Sequence, residues 1–226
     1  MSSVAAFYGD NAALYDRIAT VPPVGRWRAR AVAALDLDAG DAVVEMGCGT
    51  GANLPYLRRA VGPSGRVVGV DLTGPLLERA RDRITREGWT NVHVVQGDAT
   101  APPVGAADGL LATFVVGLLA DPATAVADWC EVVAAGGGGR LALVDATASG
   151  HPAGRLLNPA FRAFVAAGAP SSSPGDVVRA LAPGSDLDAP LSERVGASRR
   201  ALTARACDRR YEERGLGFVG VLSGRV

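Results

Sequence analysis

Two kinds of apolar segment alternate along this chain, and each kind predicts one type of regular structure. Short runs rich in valine and leucine predict buried β-strands, whereas longer segments with apolar residues three and four positions apart predict amphipathic helices. Strands that alternate with helices in this way pair in parallel through right-handed crossovers. The predicted strands span residues 43–46, 66–71, 92–95, 109–115 and 141–144, and the helices between them span 54–61, 75–87 and 122–134.

The chain departs from this alternation near its N-terminus and after Asp145. Residues 1–22 predict a short amphipathic helical region, which is either a helix packed on the core or a cap over a ligand pocket. Residues 24–37 predict a second helix. Residues 160–167 predict a helical piece, and the Ser/Pro/Gly-rich stretch at 169–175 is either a mobile lid or a loop.

The C-terminal part predicts a further helix and a hairpin. Residues 190–206 have helical spacing, and two strand-like segments, 207–213 and 218–222, flank a glycine-containing turn. We therefore expect one domain over residues 1–226, made of an N-terminal cap (1–23), a core (24–148), an insert (149–190) and a terminal helix with hairpin (191–226).

Composition narrows the class of protein. The chain has 226 residues, 48% hydrophobic content and a formal net charge of zero, which favours one globular domain over a disordered chain or a strongly basic nucleic-acid binder. Three widely spaced cysteines suggest neither a disulfide framework nor a zinc site. No basic and apolar leader opens the sequence, and the longest apolar run is too short to span a bilayer. We expect a cytoplasmic protein without a bound metal.

One stretch carries the candidate chemistry. Glu45 precedes three glycines at alternate positions, 47, 49 and 51, and a helical segment follows from Leu54. Such a turn brings backbone N–H groups to a helix N-terminus, where a polar or anionic ligand can bind. Alone it is equally a turn in a chain with 29 glycines. A second acid, Asp71, follows Gly51 at about the 20-residue distance at which a Rossmann-like unit places a carboxylate over a ribose diol.

Four segments, in order and spacing, resemble the class I S-adenosylmethionine-dependent methyltransferases: VVEMGCGTG, GRVVGVD, VVQGDA and LLATFVV. The resemblance covers roughly residues 40–146. It implies an α/β, Rossmann-like fold, with a seven-stranded, mostly parallel sheet, an antiparallel C-terminal strand and helices on both faces. It also implies S-adenosylmethionine as cofactor and S-adenosylhomocysteine as product.

The resemblance assigns roles to residues at the carboxyl edge of the sheet. Asp71 is expected to accept hydrogen bonds from the ribose hydroxyls, although a helix-capping acid is the plainer interpretation. Asp98 with Ala99 is expected to bind the adenine, or to form only a turn. Glu45 either faces the ammonium of the cofactor or holds the glycine loop. The full expected cofactor-binding set is Glu45, Gly47, Cys48, Gly49, Gly51, Asn53, Asp71, Leu72, Asp98, Ala99, Thr113 and Phe114.

The methyl acceptor is less well defined. No catalytic residue is identified; His151 and Tyr15 are candidates, and Tyr8, Tyr15 and Asn158 are candidate substrate contacts. Residues 113–116, residues 156–161 and the ending GLGFVGVLSGR are most similar to phosphatidylethanolamine N-methyltransferases and ubiquinone/menaquinone-biosynthesis methyltransferases. We expect a small-molecule or lipid acceptor, peripheral membrane association if that acceptor is a lipid or quinone, and no nucleic-acid partner. The oligomeric state is left open.

Two alternatives belong to other functional classes. The segment GCGTGA partly fits the G-x-G-x-x-G/A pattern of an NAD(P)-dependent oxidoreductase. Glu45 before the glycines, the acids Asp71 and Asp98, and the terminal hairpin argue against it. The other alternative is a non-catalytic nucleotide-binding protein.

Overall fold

A seven-stranded sheet organises the computed structural model, which describes residues 22–167, 175, 179–182 and 185–226. The strands are β1 (Ala42–Met46), β2 (Arg66–Asp71), β3 (Val92–Gln96), β4 (Gly109–Thr113), β5 (Arg140–Ala146), β6 (Cys207–Arg214) and β7 (Val219–Arg225). Their order is β3-β2-β1-β4-β5-β7-β6. The first five are parallel, and β7 is antiparallel to both β5 and β6. The predicted fold class is thereby confirmed.

Helices cover both faces of this sheet. Within the described residues they are α1 (Pro22–Ala33), α2 (Leu54–Val61), α3 (Gly74–Arg86), α4 (Pro122–Ala135), α5 (Pro152–Arg155), α6 (Asn158–Ala167) and α7 (Ala189–Arg205), with a 3-10 turn at Val116–Leu118. Asp121 caps α4 by accepting a hydrogen bond of 3.1 Å from the Thr124 N–H.

The hydrophobic core has two layers, one on each face. Helices α4 and α7 pack on one face around the fully buried Trp129, whose indole N–H donates to the Ala99 carbonyl at 2.7 Å. Helices α1, α2 and α3 cover the other face. Strands β4 and β5 are buried through most of their length, whereas the edge strands β3 and β6 are largely exposed. The carboxyl ends of the central strands therefore lie between two apolar layers.

Several predicted boundaries are corrected. The first described helix begins at Pro22 rather than at residue 24, because proline is tolerated in the first turn of a helix. It ends at Ala33 rather than residue 37. Strand β4 stops at Thr113 because Phe114 has a φ of 57° and a 3-10 turn follows. The predicted N-terminal cap, apart from its last two residues, and most of the 169–175 stretch lie outside the described residues.

No helix in the described ranges joins the length and the apolar character needed to cross a bilayer.

Close packing between the ends of β4 and β5 yields a stability prediction. A Cβ at Gly139 would collide with the backbone carbonyl of Asp108, whereas one at Gly105 would meet no neighbouring atom. We expect Gly139→Ala to lower the free energy of unfolding by about 1–3 kcal/mol, because backbone cannot move aside cheaply. Gly105→Ala is the matched control and should change it by less than about 0.5 kcal/mol. Urea unfolding measures both, and equal stabilities would contradict the packing argument.

Candidate cofactor site

The glycine loop joins β1 to α2, and its glycines are required by both conformation and space. Gly47, Gly49 and Gly51 have φ of 68°, 54° and 75°, a region that residues with a Cβ rarely adopt. A Cβ on Gly47 would lie 2.8 Å from the Cβ of Val115, and one on Gly51 would lie 2.6 Å from Leu54 Cδ1. The loop therefore sits close against its surroundings and directs its backbone to the carboxyl edge of the sheet.

Asp71, the last residue of β2, binds this loop. Its Oδ2 accepts the Gly49 N–H and its Oδ1 accepts the Thr73 N–H, each at 2.8 Å. Burial raises the pKa of Asp71, and the hydrogen bonds from Thr73 and Gly49 oppose the rise. Thr73, not Asp71, is the N-cap residue of α3. The Thr73 side chain adds a third hydrogen bond, and because an ionised carboxyl group has about four acceptor sites, Asp71 keeps capacity for a ligand hydroxyl. Leu72 beside it is 47% exposed.

Glu45 lies one strand away from Asp71 and is almost completely buried, at 1% exposure. Its Oε1 accepts a hydrogen bond of 2.5 Å from Asn53 Nδ2. Within the described residues its Oε2 is buried and has no hydrogen-bond partner. An unsatisfied buried oxygen costs free energy, so this atom is suited to receive a donor from a ligand.

The charge state of Glu45 follows from its surroundings. Burial raises the pKa of Glu45 to about 8, while the hydrogen bond from Asn53 and the positive charge of Arg28 oppose the rise. The negative charge of Asp71 adds to it. Without a bound ligand, the carboxyl group of Glu45 is therefore mostly protonated at neutral pH.

Asn53 connects Glu45 to a helix that sequence reasoning did not associate with the site. Its Nδ2 also donates to Thr113 Oγ1 at 3.0 Å, and its Oδ1 accepts from Arg28 Nη1 of α1 at 2.9 Å. Arg28 is 6% exposed. The signal for Arg28 was present, because it shares helical spacing with the buried Ala31 and Val32 on one face of α1.

The expected adenine residues form a turn after β3. Asp98 Oδ1 accepts from the N–H and the hydroxyl of Thr100, both at 2.8 Å. Ala99 is buried, and its carbonyl oxygen binds Trp129. The turn interpretation is thus observed, and an adenine contact stays a prediction.

The remaining cofactor-set residues line the loop and the end of β4. Burial raises the pKa of Cys48 well above that of a free thiol, so Cys48 is an unreactive filler of the glycine loop. Thr113 is buried in the network around Asn53. Phe114, with its left-handed backbone, donates its N–H to the Val144 carbonyl at 2.8 Å and turns the chain away from the sheet. A non-glycine residue in this conformation is held there by its surroundings at a cost of about 1–3 kcal/mol.

The candidate acceptor residues are used locally in the structure. The exposed His151 caps α5, with its Nδ1 accepting the Ala153 N–H at 3.2 Å. Asn158 binds the backbone of Ser149 twice, at 2.8 and 3.1 Å. These contacts shape the segment after β5. A role in acceptor binding stays a prediction for both, and Tyr8 and Tyr15 lie outside the described residues.

Asp145 at the end of β5 faces the opposite layer from Glu45. It is 2% exposed and its Oδ2 lies 3.7 Å from Arg199 Nε of α7. Burial raises its pKa to about 7, against the attraction of Arg199. The structure therefore does not bring Asp145 into the Glu45 network.

Comparisons with known proteins agree with this arrangement. Residues 43–137 match a family model described as a methyltransferase domain. The aklanonic acid methyltransferase DauC of Streptomyces sp. (strain C5) is 30% identical over 134 residues, which are 58% of this chain and 60% of that protein. The demethylmenaquinone methyltransferase of Lactococcus lactis is 35% identical over 77 residues, 34% of this chain and 31% of that protein. A SAM-dependent methyltransferase from Aquifex aeolicus shares the fold, with a TM-score of 0.58 at 18% identity over 88% of this chain and 89% of that one.

The sheet order, the glycine loop between two acids and the matched residues define the class I S-adenosylmethionine-dependent methyltransferases. Residues 43–137 match the methyltransferase domain, and this match supports the class and the cofactor that the sequence predicted. The oxidoreductase alternative is not favoured. The chain spans 60% and 31% of the lengths of the two curated relatives named above.

The buried carboxyl group of Glu45 predicts a dependence of stability on pH. Folding raises the pKa of Glu45 from 4.5 to about 8, so the folded state binds more protons and its stability falls as the pH rises between those values. Glu45→Gln removes this effect. We expect the free energy of unfolding of the variant to rise relative to that of the wild type from pH 5 to pH 8, by at most about 1.4 kcal/mol per pH unit.

Urea unfolding at pH 5, 6.5 and 8, without ligand, measures the difference between variant and wild type. Glu78→Gln, on the exposed face of α3, removes one surface charge and is the matched control. A Glu45→Gln difference that stays constant over this pH range would show that the carboxyl group does not titrate as described.

Proposed function

We propose that this protein transfers the methyl group of S-adenosylmethionine to a small-molecule or lipid acceptor by in-line displacement. One observation carries the proposal: two acids at the ends of adjacent parallel strands flank a glycine loop, and both have acceptor capacity to spare. Glu45 keeps a buried oxygen without a partner, and Asp71 is oriented by the loop itself. A ligand with a diol and an ammonium group fits this pair.

The residues fit the cofactor from one end to the other. Asp71 would hold the ribose diol, Glu45 the ammonium group, and Asp98 with Ala99 the adenine. Glycine at positions 47 and 51 lets the loop pack directly against Val115 and Leu54, which fixes its place at the carboxyl edge of the sheet. S-adenosylmethionine supplies a methyl group on a sulfonium that is already a good leaving group.

The contribution of the chain to the reaction is positioning and exclusion of water. Acceptor atom, methyl and sulfur have to be collinear at near-attack distance in a dry site. An amine or an ionised phenol needs little acid–base help, whereas an alcohol or a carbon acceptor needs a general base. His151 and Tyr15 remain the candidates for that base, and Tyr8, Tyr15 and Asn158 the candidates for substrate contact.

We propose an acceptor with a substantial apolar part. The segment after β5 exposes large apolar side chains, with Leu156 at 83%, Leu157 at 49% and Phe164 at 65% exposure. The names of the two curated relatives give aklanonic acid and demethylmenaquinone as their substrates. If the acceptor is a lipid or a quinone, these side chains support peripheral association with a membrane. Incubation with labelled S-adenosylmethionine, followed by separate analysis of lipid and aqueous extracts, identifies the acceptor fraction.

Ligand-induced stabilisation separates the proposed class from the oxidoreductase. We expect S-adenosylhomocysteine at a hundred times its dissociation constant to stabilise the protein by about 2.7 kcal/mol, because it binds only the folded state. NAD at the same concentration should leave the melting temperature unchanged. Differential scanning fluorimetry measures both, and stabilisation by NAD alone would contradict the proposal.

The ribose role of Asp71 is tested by substitution. We expect Asp71→Ala to weaken binding of S-adenosylhomocysteine at least tenfold, about 1.4 kcal/mol, because two hydroxyl groups lose their acceptor. Asp82→Ala, an exposed acid of α3, is the matched control and should bind like the wild type. Isothermal titration calorimetry measures both affinities. An Asp71→Ala affinity equal to that of the control would remove Asp71 from the ribose site.

A further inference from the structure

Arg28 is a buried cation on a helix that lies outside the matched domain. It is 6% exposed on α1, whereas the matched residues begin at 43. Burying a guanidinium group is costly unless a partner compensates for the lost water. Its Nη1 donates a hydrogen bond of 2.9 Å to Asn53 Oδ1. This contact brings the guanidinium group to an amide that also binds Glu45.

Asn53 connects Arg28 to Glu45 through hydrogen bonds on its two sides. Its Oδ1 faces Arg28, while its Nδ2 donates to Glu45 Oε1 at 2.5 Å and to Thr113 Oγ1 at 3.0 Å. The three contacts fix the orientation of the amide, because reversing it would place two donors face to face at Arg28. Hydrogen bonds in a chain polarise one another in a buried setting, so Arg28 strengthens the bond that stabilises an ionised Glu45.

Within the described part of the chain, the groups around Glu45 come from four elements: α1, β2, β4 and the glycine loop that leads into α2. Arg28 from α1 favours the ionised carboxylate, and Asp71 from the end of β2 disfavours it. Cys48 from the glycine loop is a protonated thiol, and Asn53 and Thr113 are neutral. Burial is the largest cause opposing ionisation. These effects oppose one another, so that one additional positive group at Oε2 is enough to ionise Glu45.

We propose that Arg28 is a positioning residue that, through Asn53, holds Glu45 ready to ionise on contact with the ammonium group of the cofactor, so that cofactor binding releases a proton. This inference rests on the proposed function. The proton balance is simple: the carboxyl proton of Glu45 leaves to solvent, and the carboxylate pairs with the ammonium, which keeps its own protons. One proton is released for each cofactor bound.

The sign of the pH effect follows by linkage. With the pKa of free Glu45 at about 8, the unliganded group is protonated below that pH and has to lose its proton on binding. Affinity should then rise with pH, by up to about tenfold per pH unit. The useful range is pH 6 to 7.5, because an α-amino group itself begins to lose its proton near pH 7.7–8.0.

The experiment is calorimetric titration of the full chain with S-adenosylhomocysteine at pH 6.5, in buffers of different ionisation enthalpy. For the wild type we expect release of more than half a proton per ligand. For Arg28→Met we expect release of less than half a proton, at least tenfold weaker binding, and an affinity rise displaced to higher pH. Arg28→Lys keeps the charge and should recover most of the proton release. Arg30→Met, on the exposed face of α1, is the matched control and should behave like the wild type.

The outcomes separate the inference from the proposed function. Wild-type protein that binds the ligand without proton release would overturn the inference alone. Weaker binding by Arg28→Met with full proton release would overturn it too, since Arg28 would then act by another route. If Arg28→Met does not fold, Arg28→Lys and Glu45→Gln decide, because Glu45→Gln must bind without releasing a proton. Wild-type protein that does not bind the ligand would contradict the proposed function, and the inference with it.

Discussion

The hydrogen bond between the Gly49 N–H and the Asp71 carboxylate is the contact on which the candidate site depends. It joins the loop after β1 to the end of β2 at 2.8 Å, and the Thr73 N–H joins the same carboxylate to the start of α3. Parallel strands end at the same edge of a sheet, so an acid at the end of one strand can orient the loop of its neighbour. The geometry of the loop is therefore set by the strand pairing, and the backbone of the loop holds the acid in place.

Two buried acids at the same edge are stabilised from opposite sides. Glu45 faces the α1 layer and is reached by Arg28 through Asn53, whereas Asp145 faces the α7 layer and lies 3.7 Å from Arg199. In each case a helix outside the region between β1 and β4 supplies the cation. Burial raises both pKa values, to about 8 and about 7, and the positive charges of these arginines oppose the rise.

The sequence was sufficient to predict the sheet, the glycine loop and the two acids, because strand periodicity, glycine spacing and the 20-residue interval are local or nearly local signals. Helical spacing could place Arg28 on the buried face of α1, but it could not predict the contact with Asn53, which lies 25 positions away, just before α2. The end of β4 was also missed, since nothing in the residue type of Phe114 indicates a left-handed backbone. The local contacts of His151 and Asn158 depend on how the chain folds back on Ser149. Spacing along the sequence does not encode that fold-back.

The proposed cofactor and acceptor residues lie in different parts of the chain, which explains why the class could be predicted from the sequence and the acceptor could not. Glu45, Asp71 and Asp98 lie at or just after the ends of β1, β2 and β3, inside the matched residues, and the roles proposed for them depend on the backbone geometry of that sheet edge. The surface proposed for the acceptor comes after β5, outside those residues, and consists of exposed apolar side chains. Apolar contacts are non-directional, so many sequences can bind similar acceptors. A substrate held mainly by such contacts therefore leaves no fixed spacing of polar residues by which it could be recognised.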